Sequence, residues 1–264
     1  MRRLLALIAV AAVLLGTGCA GPEVTAPAGV SVAVQQNRGD IAVDRMQIRV
    51  ENGGDQTLTV TRAALSAPRF EAPAVWQGRS EIAPGAARNL PVLIPVMDCT
   101  ADAAGGSVEL VFLEGGFERT ATLDVGDPSE LLPTLAEAEC TAIAVAAAVD
   151  LSFTGLESDG RVALLTLAIE RAGDADVVVD SVARTVLLQP EDGAAAWPVG
   201  TTSGTVTLRA VPARCDPHAV AEDKVGTLFP VTVTLDGTAM TVTVPAPEAL
   251  RAEIRGFIAE ACGW

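Results

Sequence analysis

The strongest constraint on this 264-residue chain is that it carries one design twice. The segment "MQIRVENGGDQTLTV" (46–60) aligns with "LTLAIERAGDADVVV" (165–179) at an offset of 119 residues. "AVWQG" (74–78) meets "AAWPV" (195–199), which sets Trp76 against Trp197 at an offset of 121. "LPVLIPVMDCTADA" (90–103) meets "VTLRAVPARCDPHA" (206–219), which sets Cys99 against Cys215 at 116. "LEGGFERTATLDV" (113–125) meets "LDGTAMTVTVPAP" (235–247) at about 121 to 122. The anchors keep their order with small insertions between them, so the chain reads as two copies of one unit, 28–140 and 141–264. Each copy has the length of an ordinary domain.

Each copy is patterned as strands. Met46, Ile48 and Val50 alternate with Gln47 and Arg49, the period-2 signature of a half-buried strand. Leu58 and Val60 resume it after "NGGD"; Leu165, Leu167 and Ile169, then Val177 and Val179, repeat it around "RAGD". In "LFPVTVTLDGTAMTVTV" (228–244), Asp236-Gly237 suits a type I′ hairpin turn, whose two central residues need positive φ. Copy one writes its hairpin around "EGG". Several short strands per ~100 residues with turns between them predict antiparallel sandwiches. The fold class expected is therefore all-β: two tandem immunoglobulin-like antiparallel β-sandwiches, each followed by a short helical segment. The helical segment of copy two is "PEALRAEIRGFIAEAC" (247–262), with Leu250, Ile254, Phe257, Ile258 and Ala261 on one face. Pro247 suits its first turn and Glu248 its positive end. Copy one has a shorter counterpart, "PSELLPTLAEAEC" (128–140), which Pro133 is expected to interrupt.

The run "VENGGDQTLTVTRAAL" (50–65) is similar to bacterial immunoglobulin-like domains of the abnormal-spindle type, over some 20 residues per copy. The resemblance implies a strand, a glycine turn and a returning apolar strand.

The first residues read as an export signal. Arg2 and Arg3 precede the twelve apolar residues "LLALIAVAAVLL" (4–15), too few to span a bilayer of ~30 Å. The run "LLGTGC" (14–19) resembles the lipobox of bacterial lipoproteins, which implies cleavage after residue 18 and a lipid on Cys19. Gly16 stands where that family usually has Leu, so cleavage after Ala20 is the alternative. Residues 19–27 then fit a short flexible tether. The expectation is an exported protein, lipid-anchored to the outer face of the cell membrane.

Four cysteines remain, an even number, which in an exported chain implies disulfides with three conceivable pairings. Copies that fold independently should each hold one bond, which pairs Cys99 with Cys140 and Cys215 with Cys262. With no C-x-x-C and a single histidine, neither a metal nor a cofactor is expected.

Loss of residues 1–18 leaves 16 basic against 33 acidic side chains, a formal charge of −17. Nucleic acid is excluded as a partner, because phosphate backbones require a cationic stripe. The aromatic residues are six Phe, three Trp and no Tyr, too few to wall a sugar-binding cleft. No G-x-S-x-G occurs, the glycine turns lie between strands rather than before helices, and Asp98 with Asp102 falls short of a calcium loop.

One stretch stands apart. "CDPHAVAEDKVG" (215–226) holds the sole histidine and the sole lysine of the chain. Asp216 suits an N-cap, Pro217 a first helical position and Gly226 a stop, with Lys224 offsetting the terminal carbonyls and His218 in reach of Glu222. Copy one has "CTADAAGG" (99–106) at this place, without either cation, so Asp216, His218, Glu222 and Lys224 are also candidates for a contact site of the second copy. The function expected is a non-enzymatic binding or scaffolding protein of the envelope with an envelope protein as partner. The alternative is an envelope enzyme, or an accessory subunit of one, using carboxylates in the groove between the copies.

Overall fold

The computed structural model describes residues 24–101 and 105–264. The expected signal peptide, the lipid acceptor Cys19 and Asp102 lie outside the described residues. The chain is all-β, built as two tandem sandwiches with helices at their ends.

The first sandwich contains β1 (Val30–Gln35), α1 (Arg38–Ile41), β2 (Arg45–Asn52), β3 (Leu58–Ser66), β4 (Ala74–Ile82), β5 (Ala87–Leu93), β6 (Ser107–Glu114) and β7 (Phe117–Gly126). Helix α2 (Leu131–Ala148) follows. The second sandwich contains β8 (Val149–Ser158), β9 (Ala163–Arg171), β10 (Val177–Ala183), β11 (Leu188–Pro190), β12 (Ala196–Thr201) and β13 (Gly204–Pro212). It continues with α3 (Pro217–Ala221), β14 (Leu228–Leu235), β15 (Thr238–Pro245) and α4 (Glu248–Cys262).

The strand orders correspond. In the first half, β4-β3-β6-β7 forms one face and β1-β2-β5 the other, joined into one sheet by a short parallel pairing of β1 with β7. In the second half the faces are β12-β10-β14-β15 and β11-β13-β9-β8, which match strand for strand except for the added edge β11. The register matches too: Ile48 sits opposite Leu90 as Leu167 sits opposite Val206. Trp76 lies opposite Ala63 as Trp197 lies opposite Val182. One irregularity coincides, a bulge in β3 between Val60 and Arg62 and one in β10 between Val179 and Ser181, while the bulge of β8 between Phe153 and Gly155 has no counterpart in β1. A bulge adds local twist and redirects one side chain. Here it turns Thr61 toward Glu118 at 3.1 Å and Asp180 toward Thr234 at 2.8 Å. The hairpins close on left-handed pairs, Gly115-Gly116 and Asp236-Gly237, as the type I′ turn demands.

The alternating apolar residues fill two separate cores. Met46, Ile48, Val50, Leu110 and Phe112 build the first; Phe153, Leu165, Leu167, Phe229 and Val231 build the second. Phe153 and Phe229 bring ring centroids to 4.4 Å across the second sandwich. Each core is closed by a helix: Leu132 and Ala136 of α2 on the first, Ile254 and Ile258 of α4 on the second. Cys99 is bonded to Cys140 and Cys215 to Cys262, with Cα–Cα distances of 5.6 and 5.5 Å. Both bonds lie within a half.

Four local expectations require correction. Pro133 does not interrupt the helix of copy one; it occupies the first turn of α2, where no i−4 carbonyl awaits its missing N–H. Asp127 stands in as the cap, accepting from the N–H groups of Leu131 and Leu132 at 2.7 and 2.8 Å. No stop follows Cys140, and the alanine-rich 141–148 carries α2 straight into β8. The junction at 140/141 is therefore helical: Cys140 packs on the first core and Val145 on the second. The tether residues expected at 24–27 belong in part to the first sandwich. The Val24 N–H donates to Thr120 O at 3.0 Å, and Val24 and Ala26 pack against the core. Pro247 precedes α4 as its N-cap rather than entering its first turn.

Each disulfide closes a loop of more than 40 residues. Replacing both Cys215 and Cys262 with Ser should lower unfolding stability by about 4 kcal/mol in denaturant titration. Non-reducing peptide maps should recover only the 99–140 and 215–262 links.

Candidate functional site

The "CDPHAVAEDKVG" stretch folds locally as its residue types dictate. The Asp216 carboxylate caps α3, accepting from the N–H groups of His218 at 3.0 Å and Ala219 at 3.3 Å, and Pro217 holds the first helical position. The helix ends at Ala221 with Glu222 as its C-cap, five residues before Gly226, so Lys224 lies beyond the helix instead of against its last carbonyls. His218 and Glu222 meet through the backbone, Glu222 N–H to His218 O at 3.0 Å, and their side chains form no hydrogen bond. His218, Glu222 and Lys224 are all exposed, and none is ion-paired among the described residues.

Gly226 has a packing role in place of the helix stop. Its N–H donates to Asp223 Oδ2 at 2.7 Å, and a Cβ there would lie 2.4 Å from Cγ of the buried Leu187. The turn therefore presses onto the β10–β11 connection, and Ala213 N–H donates to Leu187 O at 2.9 Å on the same side. Cys262 Sγ stands 3.9 Å from Arg214 O, so the second disulfide braces this corner.

The two flanks of the stretch line a cleft of about 620 Å³ at the junction of the halves. Arg214 and Val225 come from those flanks, Arg184 and Val186 from the β10–β11 connection, Leu228 from β14 and Ile41 from the first half. Ile41 is 43 % exposed and Val186 48 %, high for aliphatic side chains beside a cavity. Ile41 is held there by the residue before it. Asp40 is 3 % exposed, accepts from Gln47 Nε2 at 2.8 Å and from both nitrogens of Asn37 at 3.0 Å, and lies 3.4 Å from Arg45. A buried carboxylate so fully paired fixes the four-residue helix α1 against β2.

Ile41, Leu228 and Thr243 are shared with a second groove of about 420 Å³ along α2. It contains Asp44, Glu139 and Arg251. Burial, and then the charge of Asp44, push the Glu139 carboxyl above its ordinary range. These are the carboxylates that the groove between the copies offers. Asp98 is a local turn residue: the Thr100 hydroxyl and N–H donate to it at 2.6 and 2.9 Å and hold its carboxyl below the usual value. Among the described residues no three of His, Cys, Asp and Glu group as a metal site. Trp197 is a core residue that donates its indole N–H to Arg209 O at 2.7 Å, and Trp76 is half-buried against the first core.

None of Asp216, His218, Glu222 and Lys224 lines the cleft; of the residues around them only Ala213, Arg214 and Val225 do. Ile41, Val186 and Leu228 are far apart in sequence, and only the position of Arg214 beside Cys215 could have signalled the site.

Gly226→Ala should destabilise the protein by about 1–3 kcal/mol, because the buried Leu187 has no room to yield. Glu139→Gln should act through pH. A carboxyl with a raised folded pKa binds its proton more tightly when folded, so stability declines as pH rises through the interval above 4.5 and stays lower beyond it. The variant should melt higher than the parent at pH 7 and equal to it well below pH 4, in paired thermal scans.

No family model matches the chain. No curated protein matches it either. Solved structures similar to it include the CupB2 chaperone of Pseudomonas aeruginosa, at 13% identity over 77% of this chain and 93% of that one, with a TM-score of 0.21. The CsuC–CsuE chaperone–tip adhesion subunit complex of Acinetobacter baumannii is similar at 11% identity over 78% and 93%, TM-score 0.22. Red sea bream transglutaminase is similar at 8% identity over 83% of this chain but 31% of its own length, TM-score 0.24. At these scores none of the three carries an argument about what this chain does.

Proposed function

We propose that the chain is a non-enzymatic binding or scaffolding protein of the bacterial cell envelope, exported and held to the outer face of the membrane by a lipid on Cys19. The observation that carries the binding role is the apolar cleft between two internally bonded sandwiches, lined by Arg214 and Val225 on either side of the segment that holds the exposed His218 and Lys224. Apolar, concave surface that folding leaves uncovered marks contact sites on otherwise closed domains. Two disulfides in a chain of this size fit an oxidising, extracytoplasmic compartment. The lipobox-like "LLGTGC" supports the anchor, and Val24, five residues beyond Cys19, is already docked on the first sandwich. Such an anchor would keep that sandwich within about 18 Å of the lipid attachment.

A second reading draws on Glu139, a carboxyl held above its ordinary range beside Asp44, which is the kind of group that acts as a general acid. Asp44 is exposed, and the groove brings these two acids together with only Arg251 among charged neighbours. That setting favours a solvated rim over a reaction centre, and binding remains the better account.

Cross-linking on intact cells should capture an envelope protein through the parent chain, with the double variant His218→Ala and Lys224→Ala losing most of that adduct. An unchanged adduct would reduce the stretch to a structural turn. Mass spectrometry of the membrane fraction should find a diacylglyceryl mass on Cys19; a free N-terminus at Gly21 would refute the anchor.

A further inference from the structure

We propose that the cleft between the halves binds a single-chain amphiphile with an anionic head, the head on Arg184 and Arg214 and the chain along Ile41, Val186 and Leu228. The inference rests on reading the chain as a binding protein, and it is independent of export and of the anchor.

Charge distribution is the first ground. The chain holds 33 acidic side chains against 18 Lys and Arg, yet the cleft is lined by two arginines and by no acid. Both guanidinium groups are exposed, and neither forms an ion pair or a hydrogen bond with another described residue. Seven of the described arginines pair with acids, Arg209 with Glu191 at 2.6 Å among them, and Arg38, Arg69, Arg88, Arg161, Arg171 and Arg255 do not; what sets Arg184 and Arg214 apart is that both line one cleft. Two arginines and no acid in one lining give the cleft positive charge in a negative molecule. Guanidinium groups match carboxylate and phosphate heads through paired N–H donors.

Shape and polarity are the second ground. The volume of about 620 Å³ lies in the range of small-ligand sites, and the aliphatic residues beside the arginines give a flexible chain apolar contact. Ile41 and Val186 approach from opposite halves, each with close to half its surface uncovered. The rim is firm rather than adaptable. Asp40 fixes Ile41, the Cys215–Cys262 bond braces Arg214, and Gly226 seats its turn on Leu187. A pre-set rim lowers the ordering cost of binding.

Methyl and amide NMR titrations of the full folded chain would decide the matter, with probes kept below micelle formation. Dodecanoate and dodecyl phosphate should each give saturable shifts at Ile41, Val186 and Leu228, their relative affinity telling a carboxylate head from a phosphate one. Dodecyltrimethylammonium and acetate, which lack the charge or the chain, should give none. Arg184→Gln with Arg214→Gln should weaken binding at least about tenfold, as loss of charge-assisted hydrogen bonds requires. Val186→Asp, at a half-exposed position that tolerates polarity, should abolish it. Equal shifts from the cationic probe, no loss in the arginine variant, or shifts confined to other surfaces would overturn the proposal. Should dilution of the protein alone move the same methyl signals, a second copy occupies the cleft and the amphiphile is excluded. Failure here with the His218/Lys224 cross-link retained would sink this inference and leave the binding role standing.

Discussion

The bond between Cys215 and Cys262 is the constraint on which the second half and its cleft depend. It ties the end of α4 to the chain leaving β13, so the helix that covers the core and the turn that borders the cleft are fixed by one covalent link. With few aromatic side chains, these cores rely mainly on Val, Leu and Ile in alternating register and on a helix to seal each sandwich. A helix of fifteen residues is marginal on its own in water. Its apolar face and its disulfide together keep it in place. The first half repeats the solution with Cys99, Cys140 and α2.

Duplication followed by divergence accounts for where the molecule is bland and where it is not. Shared features, among them the bulges in β3 and β10, the two hairpins and the tryptophans in matching register, serve the sandwich. The unmatched features include several of the second half near the junction. β11, the capped turn α3 and the exposed His218 and Lys224 all belong to the second half, where Gln189 of β11 and Ala213, Arg214 and Val225 on either side of α3 line the cleft. An edge strand added to one copy alters the end of the sheet without disturbing the inner register, which is why the copy could acquire it at little structural cost.

Much of this was legible in the residues. Period-2 alternation in 46–50 and 165–169 marks strands because one sheet face is buried, and the repeat selects the disulfide pairing because each copy must close on itself. The Asp216-Pro217 cap was readable from local chemistry alone. Pro133 misled because the same residue that breaks a helix interior is harmless in the first turn. Lys224 misled because charge complementarity to a helix end says nothing of where the helix stops. The cleft was hidden for a deeper reason. Its walls come from α1, β14 and the β10–β11 connection, segments with no common pattern, and the buried Asp40–Gln47 pair that sets Ile41 looks like any polar pair in the sequence.

Because α2 leaves the first core and enters the second without a loop, the two sandwiches share a shaft instead of a hinge. Each residue of an α-helix advances about 1.5 Å and turns about 100°. The azimuth of the second sandwich about that shaft is thus counted out in residues between Cys140 and Val145. One alanine added there would swing Arg184 and Val186 a quarter-turn or more away from Ile41 while leaving both cores and both sulfur bridges intact. Lineages that change the length of this segment would keep the building blocks and lose the space between them.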